Sequence, residues 1–380
     1  MNYLKFRQHV PVACRFVPVV ALFAALLSCA KPKDQHSSAE RLREIKKDLD
    51  QIEPIDRAAH RNPQLVELTN AQSRVVAALA KAGTAEEKAL EVGLYDKFAR
   101  QLKVRQLLAQ QLASPSPPSQ TKIVGGRPAA SNQIPYQAAL IFTGYSNPLY
   151  GQYCGATVIN QNWVLTAGHC VGGAIAGNPV NGCLDSALLQ TGDIQVFVNS
   201  TTLSQGGTLI DVASFCVNPS YAVAGQHQQN DIALVKLATP LNMPELANVP
   251  DDSQQTALFA YSRNATISGW GQTGPNSTGS DALLFGTVQV ILSNETCQKS
   301  YGSDTITPSM VCATSSQSDT CYGDSGGPLV MRTLNKSEYV EGITSWAAGQ
   351  CGQGIPSVYT RVPQFSPWIS SVTGVAISNP

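Results

Sequence analysis

Gly323-Asp324-Ser325-Gly326-Gly327-Pro328 is the stretch on which the reading of this chain turns. A serine that is to act as a nucleophile has to stand on a tight turn, with its hydroxyl exposed. Glycines on both sides permit that turn. They also let backbone N–H groups aim at one point, where a negative oxygen would be held. Two shorter motifs lie upstream. Thr166-Ala167-Gly168-His169-Cys170 offers an imidazole beside a cysteine, which alone suits a structural or metal-binding role as well as proton transfer. Asn230-Asp231-Ile232-Ala233-Leu234-Val235-Lys236-Leu237 puts an acid at the start of an apolar strand, where a turn or cap is the plain alternative. Around these motifs run short β-like segments, at 138–142, 157–164, 193–198, 232–237, 265–270 and 340–345, broken by Gly, Asn and Pro turns. Strands this short and this closely spaced predict an all-β sandwich or barrel.

The chain has 380 residues with 26 basic and 26 acidic side chains, and the even total conceals three unlike segments. Residues 1–30 carry three Lys or Arg and no acid, residues 31–122 sixteen basic and twelve acidic, and residues 123–380 seven against fourteen. The middle segment is rich in Ala, Leu, Glu, Lys and Arg, the last in Gly, Ser, Thr, Val and aromatics. A domain boundary is therefore expected near residue 122. The acidic balance of the last segment argues against a nucleic-acid partner. Ten cysteines divide the same way: Cys14 and Cys29 near the start, none from 30 to 153, and eight from Cys154 to Cys351. An even set in one segment, without paired CxxC metal motifs, reads as a disulfide framework made in an oxidising compartment.

Lys5, Arg7 and Arg15 precede an apolar run at 16–27, too short to cross a bilayer comfortably and of signal-peptide length. Residues 1–29 are read as a signal peptide. Its end, Leu26-Leu27-Ser28-Cys29, resembles the lipobox of bacterial lipoproteins, which marks Cys29 for lipidation and membrane attachment; an ordinary secretory leader cut nearby is the alternative. From 37 to 113 the pattern is helical. Ser37 with Glu40 and Thr84 with Glu87 have capping-box spacing, and Leu90, Leu94, Phe98 and Leu102 recur at helical steps. Helices are expected near 38–50, 64–82 and 85–112, making 30–113 a helical pro-region or tether. Ser114-Pro115-Ser116-Pro117-Pro118 opens a Pro/Ser linker over 114–122, extended and open to cutting.

The His, Asp and Ser motifs in this order resemble those of the chymotrypsin-like serine proteases, and of the trypsin branch in particular, along the whole of 123–380. The resemblance implies two antiparallel Greek-key six-stranded β-barrels. A closing helix near 363–375 would pack through Phe365, Trp368 and Ile369. It implies a secreted serine endopeptidase in which Ser325 attacks the scissile carbonyl, His169 carries the proton and Asp231 holds the imidazole. The N–H groups of Gly323 and Ser325 would form the oxyanion hole. Gly168 departs from the commoner Ala before this histidine. A silent homologue kept for binding is the rival reading, and the intact set of motifs weighs against it.

Ile123-Val124-Gly125-Gly126 directly follows Lys122. In the resembling family a cut at this place frees an Ile amine that pairs with the acid before the nucleophile, here Asp324. The chain is thus expected to be a zymogen activated between Lys122 and Ile123. Asp319 stands where trypsin-like enzymes carry the acid of the S1 pocket, which implies cleavage after Lys or Arg, because a cation compensates a carboxylate in a narrow slot. Tyr322, Ser345, Trp346, Ala347 and Ser357 would complete that pocket. Ala347 and Ser357 replace the glycines usual in trypsins and bring extra atoms into it. The resemblance implies disulfides Cys154–Cys170, Cys297–Cys312 and Cys321–Cys351; it leaves Cys183–Cys216 as a pair without a counterpart in trypsin. No metal or cofactor motif is evident. The expected partners are protein or peptide substrates and the chain's own pro-region. The expected location is the cell envelope for a lipid-anchored precursor and the exterior after activation. With no cysteine between Cys29 and Cys154, no disulfide ties the pro-region to the last segment. Cutting is therefore expected to release the catalytic domain from any lipid anchor unless noncovalent contacts hold it.

Overall fold

The computed structural model describes residues 123 and 125–377, except 146, 175–176, 225–226, 244–246, 274–278, 303–304 and 349–350. It also describes Gly93, Asp96, Lys97, Ala99, Arg100, Gln101, Lys103 and Val104, all helical. The leader with Cys29, the helices expected near 38–50 and 64–82, the linker 114–122 and Lys122 lie outside the described residues.

Strand β1, Arg127–Pro128, lies along the second of two barrels. The first barrel closes from β2 Gln137–Phe142, β3 Gln152–Asn160, β4 Trp163–Thr166, β5 Ile194–Val198, β6 Thr208–Val217 and β9 Ala233–Leu237, in the order β2-β3-β4-β9-β6-β5. A side hairpin of β7 Ala222–Ala224 and β8 His227–Gln229 interrupts it. The second barrel uses β10 Asn264–Gly269, β11 Leu284–Ile291, β12 Met310–Thr314, β13 Pro328–Arg332, β14 Glu338–Trp346 and β15 Ser357–Arg361. Its order is β11-β10-β13-β14-β15-β12, closed by pairing of β11 with β12. Closure leaves the six strands of each barrel without a free edge. The pairing is antiparallel throughout both barrels.

Apolar patterning explains the elements. In β9 every residue is buried except Lys236, whose ammonium lies over the Trp163 ring. Trp270 and Phe197 meet edge to face across the two barrels, and one core cluster includes residues of both. The run expected at 157–164 is two strands. The Asn160 side chain accepts from the Asn162 N–H at 2.8 Å, and this Asx turn reverses the chain from β3 into β4. Asp193, read as the start of a strand, closes a 3₁₀ turn, Thr191–Asp193, before β5. The expected C-terminal helix is a 3₁₀ turn, Val362–Phe365, running into helix Ser366–Thr373 and ended by Gly374 at φ 70°. Ile369 and Phe365 are buried; Trp368 packs against the same core and donates to the Gly182 carbonyl. Short helices at Pro148–Gly151, Asp252–Tyr261 and Asn294–Tyr301 carry no strong sequence signal.

All four disulfides are present. Cys154–Cys170 joins β3 to the histidine turn, Cys297–Cys312 joins helix Asn294–Tyr301 to β12, and Cys321–Cys351 joins two loops of the second barrel. Cys183–Cys216 fastens the loop before β5 to β6. Closing loops of about 15 residues stabilises by about 3 kcal/mol in the chain-entropy account.

One buried acid has no part in the site. Glu341 on β14 is fully buried, and its Oε2 accepts from Gln255 at 2.9 Å. Burial pushes its carboxyl up to about 7. The folded chain therefore keeps a proton that the unfolded chain releases near the ordinary glutamate value of 4.5. Stability falls as pH rises between those two values and is level above them. In a Ser325→Ala background, Glu341→Gln is expected to melt higher above pH 7 by on the order of 5 °C, with the gain vanishing near the unfolded carboxyl's own titration. Melting curves across pH check this; an equal shift at all pH values would contradict it.

Candidate active site

The seam between the barrels collects the motif residues. His169 sits in the buried 3₁₀ turn Gly168–Val171 that follows β4. Asp231 enters just before β9, after Asn230 takes a left-handed conformation at φ 49° and its side chain donates to the Ser220 carbonyl. That turn is why an acid opens this strand. The Asp231 Oδ2 lies 2.6 Å from His169 Nδ1, and its Oδ1 accepts from the His169 backbone N–H at 2.9 Å. Ser345 on β14 donates to Oδ2 at 2.5 Å, and Thr360 on β15 donates to the Asp231 carbonyl at 2.7 Å. Burial alone would push this carboxyl up. The charge of His169 and the hydrogen bonds from His169 and Ser345 outweigh burial and hold it below the usual carboxylate value. Asp231 is thus an ionised acceptor fixed from both barrels.

Ser325 is half-buried on the turn between Asp324 and Gly326. Gly323 and Gly326 both have positive φ, 91° and 79°. A Cβ on Gly326 would lie 2.3 Å from Thr166 Oγ1 and 3.0 Å from Cys170 Sγ, so the turn passes directly against the histidine's own disulfide. That sulfur is 3.6 Å from His169 Nε2. The Cys154 and Cys170 sulfurs near His169 are joined to each other and are not available as thiolate metal ligands. The Gly155 N–H donates to the Ser325 carbonyl at 2.7 Å, locking the serine turn to β3. Gly168 has a local reason: a Cβ there would come within 2.9 Å of the Tyr221 ring.

A cavity of about 40 Å³ adjoins Ser325, lined by Tyr322, Ser345, Trp346, Ala347 and the Cys321–Cys351 bridge among others. Asp319 and Ser357, expected in the same pocket, adjoin this lining: Asp319 precedes Thr320, and Ser357 precedes Val358, the cross-strand partner of Trp346. They bond to each other: Ser357 Oγ donates to Asp319 Oδ1 at 2.6 Å, alongside the N–H groups of Thr320 and Gly352. Burial raises the Asp319 carboxyl in spite of those donors. Ile123 is fully buried in the core of the second barrel. Asp324 is also fully buried and accepts from Gly271 N–H at 2.8 Å and Cys321 N–H at 3.0 Å. Among the described residues no cation pairs with it, and burial pushes its carboxyl up to about 7.

Sequence reasoning assigned Ser345 to the pocket and missed its hydrogen bond to Asp231. It also missed Gln152, whose amide donates to the Gly323 carbonyl at 2.8 Å and so steadies the turn that carries Ser325. Nothing in the local sequence marks Gln152; the contact spans 171 residues.

A glycine-flanked serine and a buried His–Asp pair at the seam of two six-stranded antiparallel barrels define a serine-type endopeptidase. The comparisons agree. The family model described as Trypsin matches residues 123–369. The chain is 33% identical over 258 residues to Trypsin-1 of Astacus astacus, covering 66% of this chain and 99% of that one. It is 32% identical over 252 residues to Trypsin of Xenopus laevis, covering 66% and 90%. It is 31% identical over 262 residues to Serine proteinase stubble of Drosophila melanogaster, covering 66% of this chain and 31% of that longer protein. This chain belongs to the trypsin family.

Proposed function

We propose that this protein is exported as a zymogen, is activated by a cut between Lys122 and Ile123, and hydrolyses peptide bonds after Lys or Arg. The buried, ionised Asp231 held 2.6 Å from His169 Nδ1 carries this reading. It leaves Nε2 as the ring nitrogen for proton transfer. Ser325 Oγ attacks the scissile carbonyl as Nε2 takes its proton, and the imidazolium then protonates the leaving amine. The Gly323 and Ser325 N–H groups receive the oxyanion. Water, activated in the same way, releases the acyl group. Asp319 supports basic specificity, since a substrate ammonium or guanidinium would compensate its burial. Its cluster of disulfides suits an oxidising compartment, and the leader supplies export, with a lipid on Cys29 as the membrane attachment.

The test is intact mass and N-terminal sequence of the wild type and of Ser325→Ala after incubation near neutral pH. A new Ile123 terminus in the wild type alone supports catalysis, basic preference and self-activation together. If both chains stay whole, an outside protease is supplied. A cut chain that still fails to hydrolyse peptides contradicts the reading.

The Ser357–Asp319 hydrogen bond favours a second reading of specificity, in which the pocket takes short side chains. Under the basic reading Arg and Lys lead a P1 substrate panel, and Ser357→Gly raises kcat/KM on Arg by about tenfold by removing atoms and a competing donor. Better cleavage after Ala than after Arg, unchanged in Ser357→Gly, selects the second reading.

A further inference from the structure

The described helical residues at 93–104 are seated on the first barrel, beside the segments that follow β2 and precede β5. Arg100 grips Asp193 with two hydrogen bonds, Nε to Oδ2 at 2.7 Å and Nη2 to Oδ1 at 2.8 Å. Asp193 is 1% exposed. Its carboxylate also accepts from the Gln190 N–H at 2.8 Å. One helical position on, Gln101 is fully buried, and its amide donates to the backbone carbonyls of Asp193 at 2.8 Å and Thr143 at 3.2 Å. Val104 is 1% exposed and belongs to the same core cluster as β2 and β5. Positions 100, 101 and 104 form one helical face, and it carries a bidentate cation, a buried amide and an apolar plug. Arg100 supplies the cation that the buried Asp193 carboxylate requires, and breaking such a pair while it stays buried is strongly unfavourable.

We propose that this helix is a noncovalent subunit of the cut enzyme: after the chain is severed between it and Ile123, it stays docked on the first barrel through Arg100, Gln101 and Val104. The release expected from the absence of a bridging cysteine then does not follow. Whatever holds the leader continues to hold the protease. The proposal takes only the place of the cut from the functional reading above.

The test uses the full chain carrying Ser325→Ala, nicked by an outside Lys-specific protease, with Ile123 confirmed as the new terminus. Gel filtration follows at micromolar concentration in about 0.15 M and about 0.5 M salt, because a buried pair is screened far less than a surface one. Co-migration of the upstream fragment with the 123–380 fragment in both salts is expected. Arg100→Ala is expected to weaken the association by about tenfold to a hundredfold, and Arg100→Lys by less, since lysine cannot reproduce the fork. Gln101→Ala should weaken it independently, and carries the test if Arg100→Ala fails to fold by circular dichroism. Separation of the nicked parent, or Arg100→Ala and Gln101→Ala both holding as tightly as the parent, would overturn the proposal. A nicked chain with native Ser325 tells the two readings apart. Co-migration without peptidase activity sinks the activation reading alone, and full activity with separation sinks this one alone.

Discussion

Asp231→Asn is expected to lower kcat on a peptide amide by about 10⁴-fold in the cut enzyme, the magnitude set by the serine-protease template. The carboxylate accepts three hydrogen bonds on two oxygens, from the His169 ring, the His169 backbone and Ser345. An amide offers one acceptor oxygen, and its nitrogen donates. The His169 backbone N–H keeps the amide oxygen at the Oδ1 place, so the nitrogen stands at Oδ2 and faces both Ser345 Oγ and His169 Nδ1. The imidazole is driven to the other tautomer, with its proton on Nε2. In that state it cannot receive the proton of Ser325. The loss should fall on kcat with KM little changed, because Asp231 is buried away from the substrate cavity. Steady-state kinetics on a chain shown to be folded check this. A loss under tenfold would contradict a tautomer-setting role for Asp231.

The second large effect is activation itself. Cutting after Lys122 is expected to raise kcat/KM by about 10²–10³-fold, the worth of a restored oxyanion donor. In the whole chain Asp324 has two backbone donors and a carboxyl pushed up to about 7. A freed Ile123 amine brings it a cation and draws that carboxyl down. The sign of the pH dependence follows. The uncut chain keeps a proton on Asp324 that the unfolded chain loses near 3.8, so its stability falls as pH rises towards about 7. Cutting removes that contribution to the slope. Asp324→Asn should abolish the gain in activity on cutting, because an amide offers the new amine no charge. Activity before and after an outside cut, with melting curves of the Ser325→Ala chain across pH, tests both parts. An uncut chain as active as the cut one contradicts them.

The six residues around Ser325 and the motifs at His169 and Asp231 made the two-barrel class legible through their resemblance to the chymotrypsin-like serine proteases. Strand spacing alone reached only an all-β sandwich or barrel, and the same triad chemistry occurs on unrelated folds. The cysteine count likewise gave the framework of four bridges. What escaped was long-range and polar. Ser345 meets Asp231 across 114 residues and Gln152 meets Gly323 across 171, and neither contact leaves a periodic trace. The Asx turn after Asn160 hid inside an apolar run. Asp193 read as a strand residue because its neighbours are apolar on the β5 side. Its role as the partner of Arg100, 93 residues away, could come only from the folded chain.

The most direct test of the central claim is covalent labelling of the cut chain with a fluorophosphonate that reacts with activated serines, mapped by mass spectrometry. A single adduct on Ser325, lost in His169→Ala and in the uncut chain, is the predicted result. No adduct on the cut chain, or one that persists on Ser325 without His169, would contradict the account.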